Sequence, residues 1–261
     1  MNHWGNGESY EPYVGRWSRP VARDFVAWLD PAPGLHWLDV GCGTGALTEA
    51  VLAAGAPTRV MGVDASSGFV GYATAHVTDP RASFGTGDAR ALPAEDASFD
   101  AVVSGLLLNS IHDRARALGE MSRVVRRGGA VAAYVWDYPG EMQLMRRFWD
   151  CAVELDPAAR LLHEGIQFGF CRPEPLRSMF TRAGLTDVRL EALAVPTTFR
   201  DFDDYWGPFL GGQGPAPSYV SSLDETTRDT LRDALRIRLP TADDGSIGLT
   251  ARAWAVRGVR G

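Results

Sequence analysis

The chain of 261 residues is 45% apolar, enough for one sizeable core, and a single domain over 1–261 is expected. All 26 basic residues are arginine and 32 residues are acidic; a net charge of −6 leaves no footprint for nucleic acid or an anionic membrane. Cys42, Cys151 and Cys171 are far apart and show no paired spacing, which argues against a metal site or a disulfide framework and suits a reducing cytoplasm. With no basic-then-apolar leader and no apolar run of about 18 residues, a cytoplasmic protein without membrane insertion is expected.

Residues 1–30 read as an N-terminal cap segment, rich in glycine and aromatics at first. The spacing of Val21, Phe25, Trp28 and Leu29 then predicts a helix over Ser18–Leu29, with Pro20 near its start and Pro31–Gly34 ending it. Trp37–Val40 is an apolar run that breaks into Gly41, Gly43 and Gly45 before the helix formers Ala46–Leu52. This is a buried strand turning directly into a helix. Three alternating glycines permit positive φ and let a ligand approach the main chain, while the free N–H groups of the helix's first turn favour an anionic group.

Arg59–Asp64 is the second strand and ends in an acid nineteen residues after Gly45 (64 − 45). In a doubly wound sheet that acid lies beside the glycine loop, where it can accept ribose hydroxyls; the alternative is a plain helix cap. Ala82–Ala89 is a short third strand ending at Asp88, and Phe99–Ser104 a fourth, apolar on both faces as buried parallel strands are. The end of that strand, Gly105–Asp113, must lie at the same sheet edge as the glycine loop. A helix over Ala115–Val125 is closed by Arg126–Gly129, and Ala130–Asp137 is a fifth strand ending in aromatics. Glu141–Leu155 reads as an amphipathic helix, Pro173–Ala183 as another, Thr186–Val195 as a sixth strand and Ser246–Val256 as the last. The core thus covers 31–196 and 241–261. Residues 197–240 are an insertion: a helix, a mobile glycine/proline loop and a helix over Asp224–Leu239.

Leu38-Asp39-Val40-Gly41-Cys42-Gly43-Thr44-Gly45 closely resembles the first motif of class I S-adenosylmethionine-dependent methyltransferases. The motif order from Trp37 to Asp137, including Leu92-Pro93 ahead of Ser98-Phe99-Asp100, is similar to that of the small-molecule methyltransferases of ubiquinone and menaquinone biosynthesis. The resemblance implies an α/β, doubly wound, Rossmann-like sheet of seven strands with the last antiparallel. It also implies S-adenosylmethionine as methyl donor, S-adenosylhomocysteine as product and a small-molecule acceptor. Gly41, Gly43, Gly45, Asp64, Ala65 and Leu106 are the expected donor contacts, with Asp88 and the Ala89 backbone N–H at the adenine. Arg16 is expected to fold back over the loop and clamp the donor carboxylate.

For the acceptor chemistry Asn109, Tyr13 and His163 are candidates, with Glu164 and Asp204 beside them. Asn109 stands where many relatives carry histidine. Tyr205, Trp206 and Phe209 in the insertion are expected to face inward from a lid over 197–220 hinged at Gly211–Gly214; the alternative is that they staple the insertion to the domain. The alternative to an enzyme is a catalytically silent, donor-binding partner subunit, and a homodimer is a further expectation. An NAD-dependent dehydrogenase would need the G-x-G-x-x-G spacing and a catalytic lysine, and the chain contains no lysine.

Overall fold

The computed structural model describes residues 15–211 and 214–261. Helix α1 (Arg16–Leu29) turns Val21, Ala22, Phe25 and Val26 into the core. There follow β1 (His36–Val40), α2 (Ala46–Ala54), β2 (Arg59–Asp64), α3 (Ser67–His76), β3 (Ala82–Thr86), β4 (Phe99–Gly105), α4 (Arg114–Val124) and β5 (Val125–Trp136). The second half contains α5 (Gln143–Leu155), a 3-10 turn at Pro157–Leu161, α6 (Glu164–Gln167), α7 (Pro173–Arg182) and β6 (Leu185–Phe199). It ends with α8 (Phe202–Trp206), α9 (Pro215–Ser222), α10 (Glu225–Arg238) and β7 (Ile247–Arg260).

The strands form one sheet in the order β3-β2-β1-β4-β5-β7-β6. Strands β1 to β5 run parallel to one another, and β7 runs antiparallel to both β5 and β6. This is the doubly wound, seven-stranded arrangement that the motif order implies. Chain order reverses direction across the sheet between β1 and β4, which opens a crevice at the carboxyl ends of those strands.

Several boundaries differ from the sequence reading. Helix α4 stops at Val124, and Arg126–Gly129 already belong to β5, where Arg126 pairs with Asp100 across the bulged start of the β4–β5 ladder. Strand β6 continues through Thr197–Phe199, which pair with Leu249, Gly248 and Ile247, so the insertion begins at residue 200. Pro215–Ser222 is helical, with proline at the helix start where its missing N–H costs nothing.

The insertion is fastened by its aromatics. Phe209 stacks on Phe148 of α5 with ring centroids 4.5 Å apart, Tyr205 packs edge-on against Phe199 at 5.3 Å, and Tyr205 Oη donates to the Leu144 carbonyl at 3.2 Å. Tyr205, Trp206 and Phe209 are all buried in the core. The inward-facing lid is therefore corrected to the staple. Each ring finds a partner on α5, β6 or the insertion itself, and burying such a side chain is worth about 1.5–3 kcal/mol. Residues 212 and 213 of the expected hinge lie outside the described residues.

Candidate functional site

The carboxyl ends of β3, β2, β1, β4 and β5 lie side by side, four inter-strand steps or about 19 Å from first to last. Two adjoining hollows follow that edge and share Gly41, Asp64, Leu107 and Ser110. One reaches toward β3 and is lined by Ala65, Asp88, Ala89 and His112. The other passes the glycine loop and ends at Leu106, Asn109, Tyr134, Trp136 and Tyr138, with about 990 Å³ of atom-free space including its open mouth.

The loop glycines are required for different reasons. Gly43 has φ +52°, and a Cβ there would meet no atom within 4 Å, so its bare backbone opens onto the hollow. At Gly45, φ +91°, a Cβ would sit 2.8 Å from Val77 Cγ2. Its bareness serves helix packing, and it stands just behind the residues that line the hollow. Gly41 lines both hollows, and a Cβ there would press on the Leu107 side chain at 2.7 Å.

Beneath the loop Asp39 is fully buried; Thr48 Oγ1 donates to its Oδ2 at 2.7 Å, while Oδ1 has no partner among the described residues. Burial pushes its carboxyl up to about 7, opposed by the Thr48 bond and reinforced by the nearby Asp64 charge. Asp64 ends β2 as predicted. Its Oδ2 accepts from Gly43 N at 3.0 Å and its Oδ1 from Ser66 N at 2.8 Å, so it braces the loop and keeps one lone pair on each oxygen for a ligand. Burial raises this carboxyl too, against those backbone bonds.

Asp88 lies two residues past β3, gripped by Arg90: Nε and the backbone N reach Oδ1 at 3.0 and 2.8 Å, and Nη2 reaches Oδ2 at 2.7 Å. This grip holds its carboxyl down to about 2. Leu106 has φ +58°, an uncommon conformation for a bulky residue, fixed by its N–H bond to the Tyr134 carbonyl at 2.9 Å. The strain turns the chain across the trough immediately after β4.

Four candidates lie outside both hollows. Arg16 is turned away from the loop: Nη1 donates to Asp204 Oδ1 at 3.0 Å, and its guanidinium carbon lies 4.5 and 4.7 Å from the ring centroids of Trp17 and Phe199. It lines neither hollow, whereas Ser18, one half-turn further on, does. Asp204 is correspondingly engaged in tying the insertion to α1. His163 caps α6, its Nδ1 accepting from Gly165 N at 3.0 Å and its Nε2 lying 3.4 Å from Asp150 Oδ1, so it is a structural cap outside the trough. Glu164 is buried against Trp149, whose Nε1 donates to Oε2 at 2.9 Å. Tyr13 lies outside the described residues. The sequence reading missed Asp39 as a working group, although its place two residues before Gly41 marked it.

Residues 38–133 match the methyltransferase domain family. The demethylmenaquinone methyltransferase of Roseiflexus castenholzii is 32% identical over 173 residues, 62% of this chain and 73% of the relative. That of Staphylococcus aureus is 32% identical over 190 residues, 67% and 76% of the two chains. The chain belongs to the class I S-adenosylmethionine-dependent methyltransferases.

Solved structures share its fold. The YcgJ protein of Bacillus subtilis superposes with a TM-score of 0.60 at 18% identity, covering 92% of this chain and 97% of that one. Phosphoethanolamine N-methyltransferase 2 of Haemonchus contortus, solved with S-adenosylmethionine, gives 0.54 at 17% identity, covering 87% and 49%. The methyltransferase takes S-adenosylmethionine as its methyl donor, and its trough fits that molecule. The orphaned Oδ1 of Asp39 offers an acceptor, the bare Gly43 gives access to the main chain, and acids stand at the ends of β2 and β3.

Proposed function

We propose that this methyltransferase acts on a small, largely apolar and aromatic acceptor seated over the ends of β4 and β5. The observation that carries this reading is the convergence of Tyr134, Trp136 and Tyr138 on one hollow with Leu106 and Asn109. Aromatic walls suit a flat ring, and their faces attract a sulfonium cation. The relatives named for demethylmenaquinone support an aromatic ring as the acceptor. Along the rest of the trough, Asp64 takes the ribose hydroxyls, Asp88 and the Ala89 backbone meet the adenine, and Gly41 and Gly43 let the methionine part lie on the main chain. Asp39 faces the donor's positive end from below. Ala65 and Leu106 close the sides.

The donor supplies a methyl group already activated on sulfur, so the chain's task is to align the acceptor and keep water out. Orientation alone is worth up to about 7–11 kcal/mol. The three buried, free cysteines suit work in a reducing cytoplasm. Label transfer from methyl-labelled S-adenosylmethionine to a panel of hydroxylated benzenes, naphthols and aliphatic amines tests the reading. Methylation of an aromatic member is expected. Transfer confined to the amines would overturn it, and donor binding without any transfer would favour the silent partner subunit.

A further inference from the structure

The acceptor end contains a polar detail that its apolar walls do not explain. Asn109 stands on the loop after β4, its Nδ2 donating to the Tyr138 hydroxyl at 3.4 Å. Its Oδ1 is shielded from water and has no partner among the described residues, although the residue lines the hollow. A buried amide acceptor without a partner is costly, so such a group is informative where a ligand can complete it. The group is also held in place. Phe168 packs against the Tyr138 ring with centroids 4.8 Å apart, Phe170 lies 3.9 Å from the Arg114 guanidinium carbon, and Arg114 Nε donates to the Leu108 carbonyl at 2.7 Å. Residues 168–170 thus brace both the Tyr138 ring and the loop that bears Asn109.

Leu106, Tyr134, Trp136 and Tyr138 surround Asn109, the other polar side chains nearest it are the hydroxyls of Tyr134, Tyr138, Ser18 and Ser110, and the carboxylates of the trough, Asp39, Asp64 and Asp88, sit at the ends of β1, β2 and beyond β3. An amide oxygen accepts a hydrogen bond but does not take up a proton at neutral pH. We propose that Asn109 determines acceptor specificity: its Oδ1 accepts a hydrogen bond from a hydroxyl or N–H group on the acceptor, fixes the ring against the donor methyl, and disfavours acceptors lacking that group. This rests on the aromatic-acceptor reading above. Asn109 acts by orientation, and its contribution does not titrate between about pH 6 and pH 8.

The test uses the full chain saturated with S-adenosylhomocysteine and three probes of similar shape: 2-naphthol, 2-methoxynaphthalene and naphthalene. Wild type should bind 2-naphthol roughly threefold to tenfold more tightly than either of the others, as for one neutral hydrogen bond. Asn109→Leu, close to asparagine in shape, should abolish that preference while S-adenosylhomocysteine affinity reports an intact fold. Asn109→His should restore the preference only above about pH 6.5, where a neutral ring nitrogen can accept. Failure of all three probes to bind would sink the aromatic reading and this proposal together. Binding of 2-naphthol no tighter than the others, or an equal preference in Asn109→Leu, would overturn the role of Asn109 and leave the aromatic reading standing. A preference for 2-methoxynaphthalene would also overturn it, since the amide would then present its N–H.

Discussion

Asp39→Asn isolates the electrostatics of the donor site. Burial holds the Asp39 carboxyl at about 7, so near neutrality the group is part protonated. The donor brings a sulfonium and an ammonium, which pair with the ionised form, so binding should draw a proton from Asp39. Ionising a group of pKa about 7 at about pH 5.5 costs about 2 kcal/mol at 1.36 kcal/mol per unit, or about 30-fold in affinity. Calorimetry with S-adenosylmethionine from about pH 5.5 to about pH 7.5 should show affinity rising by about that factor in wild type. Repeating the titration in buffers of different ionisation enthalpy should reveal proton release at the acid end. The amide of the variant cannot ionise, so Asp39→Asn should bind more weakly at about pH 7.5, by about 1–3 kcal/mol for a lost bond to a charged group, and vary little with pH. The range stops near pH 7.5 because an α-amino group itself titrates near about 8. Equal pH slopes in the two proteins would refute the reasoning. Without donor the linkage has the opposite consequence. The folded pKa lies above the unfolded value of 3.8, so the stabilisation from neutral Asp39 is complete below about pH 4 and is lost as pH rises through about 7.

Asp64→Ala should weaken S-adenosylmethionine binding about 10- to 100-fold, because a carboxylate that both braces Gly43 and holds free lone pairs is lost; unchanged affinity by calorimetry would remove it from the ribose. Phe209→Ala should cost about 3–5 kcal/mol in denaturant unfolding and lower hydrogen-exchange protection over 200–246, with donor affinity unchanged; a parallel loss of donor affinity would contradict the staple. Glu164→Gln keeps an acceptor for Trp149 but removes a carboxyl that burial raises from 4.5 to about 7. Wild type should therefore lose up to about 3 kcal/mol of stability relative to the variant as pH rises from about 4.5 to about 7, and parallel pH profiles in chemical denaturation would rule this out.

The framework and the line of residues along its carboxyl edge were legible in the chain alone. An apolar run ending in Gly41, Gly43 and Gly45 admits few conformations, Asp64 closes the next strand and Asp88 follows the one after it by two residues, so alternation of strand and helix brings all of them to one sheet edge. Those constraints act within a few residues, or follow from the chirality of the crossover. Residues whose roles depend on distant partners were legible only in part. Arg16 was read as a carboxylate clamp, and only the tertiary structure brings its Nη1 to Asp204, 188 positions away. His163 looked like a base until α6 folded beneath it as a helix needing a cap. The insertion's aromatics announced burial, but the surface they cover was settled by Phe148 and Phe199, which no local pattern names. At the acceptor end, Asn109 was visible as a residue and Tyr138 as an aromatic. Their contact arises because β4 and β5 are neighbours, and it took the packing of the chain to leave that amide oxygen without a partner among the described residues.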